Sequence, residues 1–191
     1  MKWEIIELTE SELISACLKR NPKAERLLWD TYSAKLFAVC MRYCRNRTEA
    51  EEVLQEGFIK IFDKLPHYKQ IGSFEHWLRR IMINTALTYL RLSKKFVNEL
   101  DVYELGEVFL TETDPLKQLE AKQLMKFIQE LPHPQQSVMN LFSIDGYSHQ
   151  EIAELLGISE AASRVMLHRA KAKLIELCSD NSYLTRKYGI K

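Results

Sequence analysis

Tyr147–Leu174 reads YSHQEIAELLGISEAASRVMLHRAKAKL, and the rest of the chain is organised around it. Ser148 with Glu151 three residues later is a capping box, so a helix starts at His149. Ile152, Ala153, Leu155 and Leu156 fall on one side of that helix. Gly157 stops it, because glycine enters the left-handed conformation without the steric cost of a Cβ. Ile158 is an apolar anchor under the turn, and Ser159 caps a second helix. In that helix Leu167, Ala170, Leu174 and Leu177 recur at spacings of three and four. Arg164, His168, Arg169, Lys171 and Lys173 lie off this stripe, and no acid occurs between Ala161 and Ile175. A short helix, a glycine turn and a basic second helix form a helix-turn-helix pattern, whose second helix suits the DNA major groove.

Outward from this stretch, the 191 residues allow one large domain or two small ones. The net charge of +1 does not itself point to nucleic acid, but its distribution does. From His76 to Asn98 there are five bases (Arg79, Arg80, Arg91, Lys94 and Lys95) and no acid. From Glu99 to Asp114 there are six acids and no base. Such blocks cancel in the sum yet create separate fields. Cys17, Cys40, Cys44 and Cys178 form no CxxC pair and have no histidine cluster beside them, so they are expected to be reduced core residues rather than metal ligands. The first residues, MKWEIIELTESEL, contain no long apolar run, and no stretch approaches the length of a membrane span. Together these features predict a cytoplasmic protein with no cofactor.

Taken in order, Thr9 and Glu12 cap a short helix over about 10–19, and Asn21-Pro22 starts the next. Leu27, Leu28, Tyr32, Leu36, Phe37, Val39, Cys40, Tyr43 and Cys44 keep a helical period to about 45. Asn46-Arg47 reads as a turn, with Thr48 and Glu51 as the capping box of a helix over 49–65. The period turns Val53, Leu54, Phe58, Ile61, Phe62 and Leu65 inward, leaving Glu49, Glu52, Gln55, Glu56, Lys60 and Asp63 outside. Pro66 ends it, and 67–72 is a loop. Ser73 caps a helix over 74–92 that is apolar on one side and free of acid on the other. Residues 93–113 change character and read as an acidic tether. Asp114-Pro115 opens a helix to about 130, Leu131–Pro134 is a break, and 135–144 is a helix with Val138, Leu141 and Phe142 inward. The expected fold is therefore all-α, with two helical domains, 5–92 and 114–180, on a flexible acidic linker, and a tail over 181–191.

These motifs, in this order, resemble the ECF (extracytoplasmic function) sigma factors, the smallest sigma-70 subunits of bacterial RNA polymerase. AEEVLQEGFIKIF (50–62) is similar to the polymerase-clamp-binding helix, GSFEHWLRRIMINTALTYLR (72–91) to the promoter-melting and minus-ten-reading helix, and 131–174 to the minus-thirty-five-reading domain. The resemblance implies that Glu52, Gln55, Glu56, Phe58 and Lys60 dock on the clamp helices, with Phe58 exposed among polar neighbours. It implies that Arg79, Arg80 and Arg91 neutralise phosphates near the start site, with Asn84 close to DNA and Trp77 at a family aromatic position that core packing would equally explain. A promoter base would be captured by the loop over 66–73, with His67, Tyr68, Lys69 and Gln70. In the second domain Arg164 and His168 are candidates for base edges, Arg169, Lys171 and Lys173 for phosphates, and Ser159 for placing its helix N-terminus against a phosphate. The implied partners are core RNA polymerase (clamp helices and flap), promoter DNA and an anti-sigma factor, bound one-to-one by a monomer. The chain departs from the family at Ala161, Ala162 and Ser163, where Gly-Thr-Val is usual, and Ser163 puts a hydroxyl at a position expected to face the core.

Two other classes compete. A dimeric helix-turn-helix regulator would bind duplex DNA without polymerase, but it has no use for a second, unlike DNA-facing helix over 74–92. An adaptor that binds proteins through both domains does not account for two acid-free helices. An enzyme is disfavoured, because the chain has no phosphate-cradling glycine loop, no Ser/His/Asp pattern and no zinc spacing.

Overall fold

A computed structural model of the chain describes residues 8–93 and 121–179. Among them are eight α-helices and one short 3-10 turn, and no strand. The all-α class expected from the periodicity is the class observed. The tether over 94–113, the Asp114-Pro115 helix start and the tail lie outside the described residues. Two compact units emerge, 8–41 with 46–86, and 42–45 with 87 onward, so that the division falls within α2 and α4.

In the first unit, α1 (Glu10–Leu18) begins at Thr9, whose hydroxyl accepts from the Glu12 N–H while Glu12 accepts from the Thr9 N–H at 2.8 Å. Asn21 Oδ1 accepts from the Lys23 N–H at 2.9 Å and starts α2 (Pro22–Tyr43), with proline at the first position where its missing N–H costs nothing. The next helix, α3 (Arg47–Lys64), starts two residues before the predicted 49. Its cap is Asn46, not Thr48: Asn46 Oδ1 accepts from the Glu49 N–H at 2.9 Å, and its amide donates to Glu49 Oε1 at 2.9 Å. Asparagine is at least as good an N-cap as threonine, and here Glu49 answers it. Leu65–His67 forms the 3-10 turn, and α4 (Phe74–Leu92) follows.

The core of this unit is Leu28, Leu36, Val53, Ile61, Phe74, Leu78, Met82 and Ile83, all nearly inaccessible. Gly57 on α3 faces the end of the Met82 side chain of α4. A Cβ there would sit 2.4 Å from Met82 Sδ and 2.6 Å from its Cε, so the methionine occupies the space any larger residue would need.

In the second unit, α5 (Ala121–Glu130), α6 (His133–Ser143), α7 (His149–Leu156) and α8 (Glu160–Ser179) enclose Phe127, Ile128, Leu131, Val138, Leu141, Ile152, Leu156, Leu167, Ala170 and Leu174. The predicted break over 131–134 is shorter than expected. Helix α6 already runs from His133, because Pro134 lies in its first turn, where no intrahelical N–H is required. Phe142 is exposed rather than inward. Its ring stacks on His149, centroids 4.5 Å apart.

Helix α6 is buried on all sides from His133 to Leu141, so its polar residues need partners inside. Gln136 Nε2 and Asn140 Nδ2 both donate to the Arg42 carbonyl, at 2.9 and 2.6 Å. Arg42 pairs with Asp145 at 2.8 Å, and the Tyr43 hydroxyl donates to the other Asp145 oxygen at 2.9 Å. Burial, then the Asp145 charge, pushes the Tyr43 phenol well above its usual range. Cys17, Cys40 and Cys44 are buried, as expected, whereas Cys178 is partly exposed.

Candidate nucleic-acid interface

The helix-turn-helix is built as its sequence dictates. Ser148 and Glu151 close the reciprocal box at 3.2 and 2.8 Å. Gly157 has φ +70° and donates to the Ala153 carbonyl at 2.9 Å, while Ile158 donates to the same carbonyl at 3.1 Å. Those two bonds satisfy the end of α7 and turn the chain into α8. Ser159 Oγ accepts from the Ala162 N–H at 3.0 Å, so this hydroxyl is engaged as a cap. Leu167, Ala170, Leu174 and Leu177 point into the core, as predicted.

Ser163 is completely buried. Its Oγ lies 2.8 Å from His149 Nδ1, so the hydroxyl that the sequence placed against the core finds its partner on the preceding helix. Burial, and then the Arg164 charge, holds the His149 imidazole below its ordinary 6.5.

On the outer side of α8, Arg164, His168 and Lys171 follow at i, i+4 and i+7 and share a face. Arg164 is 62 % exposed and pairs with Glu160 one turn earlier. Arg169 and Lys173 stand on a neighbouring face, and Lys173 pairs with Glu176 at 2.7 Å. A basic face on a helix held by a tight turn is the electrostatic footprint of a DNA reader.

The remaining candidates lie on α3, on α4 and in the segment between them. On α4, Arg80, Asn84, Thr88 and Arg91 form one outward stripe, with Asn84 half-buried and the others exposed. Arg79 lies beside it and pairs with Glu75 at 3.4 Å. Lys35 also pairs with Glu75 at 2.7 Å, and this contact holds that carboxyl below its usual range. Arg91, which falls in the second unit, donates to the Leu155 carbonyl at 3.2 Å.

Trp77 is half-buried in a cluster of rings, 5.6 Å from Phe74 and 4.9 Å from Tyr68. Tyr68 also packs on Phe74 at 5.1 Å, and its hydroxyl donates to the Gly72 carbonyl at 3.2 Å. Tyr68 thus braces its loop from the inside. His67, Lys69, Gln70 and Ile71 are exposed in that segment, as are Pro66, Gly72 and Ser73.

On α3, Glu52, Gln55 and Glu56 are exposed along one stripe, and Lys60 pairs with Glu56 at 3.2 Å. Phe58 is not exposed. It is 2 % accessible and packs 4.3 Å from the Trp29 ring, which corrects the expectation of an exposed aromatic on this face. The apolar side chain that does lie on the stripe, at i+7 from Glu52, is Ile59, 57 % exposed. The sequence signal for it was available: Ile59 breaks the inward period that Phe58 keeps.

Two sigma-70 family models match this chain, region 2 over residues 28–96 and region 4 over 121–174, and together they span well over half of it. The chain belongs to the sigma-70 family. It is a promoter-directing sigma factor of RNA polymerase, of the ECF group. The ECF RNA polymerase sigma-E factor of Haemophilus influenzae is 25 % identical over 176 residues, covering 86 % of this chain and 93 % of the relative. The sigma-E factor of Escherichia coli is 27 % identical over 176 residues, covering 86 % and 92 %. Among solved structures, the sigma factor RpoE of Bartonella quintana, in complex with the anti-sigma factor NepR, superposes with a TM-score of 0.52 at 18 % identity, covering 82 % of this chain and 97 % of that one. This sigma factor therefore has the region 2 match mainly on α2, α3 and α4 and the region 4 match on α5 to α8.

Proposed function

We propose that this sigma factor divides its work between two surfaces. The region 4 helix-turn-helix reads the minus-thirty-five element, with Arg164 and His168 toward base edges and Arg169, Lys171 and Lys173 toward phosphates. Ser159 fixes the helix start that meets the backbone. Region 2 docks on the polymerase clamp helices through Glu52, Gln55, Glu56 and Lys60, to which we add Ile59, while Phe58 supports that face from beneath. Its α4 stripe of Arg80, Asn84 and Arg91, with Arg79 beside it, lies along the minus-ten element. His67 and Lys69 contact the opened strand, with Tyr68 and Trp77 as the aromatic base of their loop. Residues 93–113 serve as the tether between the domains 5–92 and 114–180.

The observation that carries this reading is the face formed by Arg164, His168 and Lys171 on a helix whose entry turn is locked by Gly157. Phosphate contacts supply affinity without sequence information, and the Arg and His on that face supply the sequence information. The protein supplies no catalytic chemistry of its own, works in the cytoplasm, and binds core polymerase, through clamp helices and flap, one-to-one. An anti-sigma factor is its expected regulator, as in the solved relative that carries one.

Run-off transcription with core polymerase on host genomic fragments tests the reading. Discrete new start sites that vanish with Arg164→Ala or Arg80→Ala are expected. Absence of both transcription and co-elution with core polymerase, together with tight duplex binding at low salt, would replace it with the dimeric regulator.

A further inference from the structure

The loop ahead of α4 holds its backbone in an unusual way. Gln70 has φ +54°, a left-handed conformation uncommon for a residue with a Cβ, and Gly72 has φ +80°. Between them stands Ile71, 81 % exposed. The loop is braced on its inner side, where the Tyr68 hydroxyl bonds the Gly72 carbonyl and the Tyr68 ring rests on Phe74 and Trp77. A left-handed non-glycine residue costs on the order of 1 kcal/mol or more and persists where surrounding structure enforces it. Here the enforced conformation presents a β-branched apolar side chain to solvent instead of burying it. Single exposed apolar residues are common on protein surfaces. One held out by two left-handed residues on a ring-braced loop is a different case.

We propose that Ile71 is an apolar wedge that enters the base stack of the promoter as the strands separate. The inference rests on the assignment of region 2 to the minus-ten element and adds a residue to it. Apolar side chains of this type insert between base steps and unstack them, which requires a projecting, pre-positioned side chain with little polar surface at its tip. Leu, Ile, Met and Phe do this; the flanking Lys69 and Gln70 are too polar. Stiffness at χ1 makes a β-branched residue suited to the task. Just beyond the loop, Ser73, Glu75, His76 and Arg79 line an open hollow of about 280 Å³, which gives an unstacked base a place to go.

The test uses the full-length chain with core polymerase and a promoter duplex that carries 2-aminopurine in the minus-ten element. With wild type, fluorescence rises as the duplex opens. Ile71→Ala is expected to slow that rise at least about tenfold, and Ile71→Leu to keep it near wild type. Both variants should co-elute with core polymerase as wild type does. On a template already unpaired across the minus-ten element, Ile71→Ala should initiate normally. Opening at the wild-type rate by Ile71→Ala would overturn the wedge, and so would an equally large defect on the unpaired template. If the wild-type chain opens neither duplex nor unpaired template with core polymerase, the assignment of region 2 fails and the wedge falls with it.

Discussion

His149 Nδ1 and Ser163 Oγ lie 2.8 Å apart across the two helices of the DNA-binding motif, and Ser163 is completely buried. The bond resolves a conflict in the sequence, where a hydroxyl occupies a position that the fold reserves for an apolar side chain. A buried hydroxyl without a partner costs about 1–3 kcal/mol, so the position is viable because His149 answers it. The two residues therefore act as a unit. Ser163→Ala is expected to lower stability by about 1 kcal/mol, because half-buried His149 can turn toward water. In a double-mutant cycle by urea denaturation, Ser163→Ala should cost markedly less in a His149→Ala background. Strict additivity would show that the pair does not interact.

The burial of His149 also sets a pH dependence. His149 titrates below 6.5 when folded, through burial first and the Arg164 charge second. The unfolded chain therefore binds the proton more readily than the folded one. Its contribution is present above the unfolded value and is lost as pH falls through the folded value. Thermal melts from pH about 7.5 down to about 5 should show a decline that is shallower in His149→Gln. An identical slope in the two proteins would remove His149 as its source.

On α3 two adjacent residues should separate stability from docking. Phe58 is in the core against Trp29, so Phe58→Ala is expected to cost about 3–5 kcal/mol. Ile59→Ala removes an exposed side chain and should change stability by less than about 0.5 kcal/mol. Ile59→Ala should nevertheless weaken co-elution with core polymerase. Retention of full binding would take Ile59 off the docking face.

Gly57 and Met82 should also couple. Gly57→Ala places a Cβ against Met82 Sδ and Cε in a closed core and is expected to destabilise by about 1–3 kcal/mol. Gly57→Ala should cost far less in a Met82→Ala background, where the space is vacated. Equal cost in both backgrounds, by chemical denaturation, would place the constraint on the backbone rather than on the methionine.

The basic residues of α8 should divide by chemistry. Arg164→Ala is expected to relax preference at one position of the minus-thirty-five element, at a cost of about 1–3 kcal/mol. Lys173→Ala should weaken binding to all sequences alike and reduce the salt slope by about 1. Competitive binding of region 4 promoter variants across salt concentrations checks both, and a Lys173→Ala effect confined to one base position would reverse the assignment.

The amino-acid sequence by itself determined the all-α class and the helix-turn-helix. Helix caps, the glycine turn and apolar period are local, acting over three or four residues, so they can be read without knowing what packs against them. Ser148, Gly157 and Leu167 were legible for that reason. What only the tertiary structure decided were matters of long-range partnership. Asn46 rather than Thr48 caps α3 although both are competent caps, and sequence spacing does not rank them. The period turned Phe58 inward while the family resemblance implied an exposed docking aromatic, and the Trp29 ring beneath Phe58 decides for the period. Tyr68 reads as a stacking residue until its ring is found on Phe74 and Trp77, which leaves Ile71 as the projecting side chain. Ser163 looks misplaced until His149 is set beside it. For Phe58, Tyr68 and Ser163 the deciding neighbour lies on another segment, and a linear pattern carries no information about that distance; for Asn46 the partner Glu49 is local, and what the sequence left open was the choice between two competent caps.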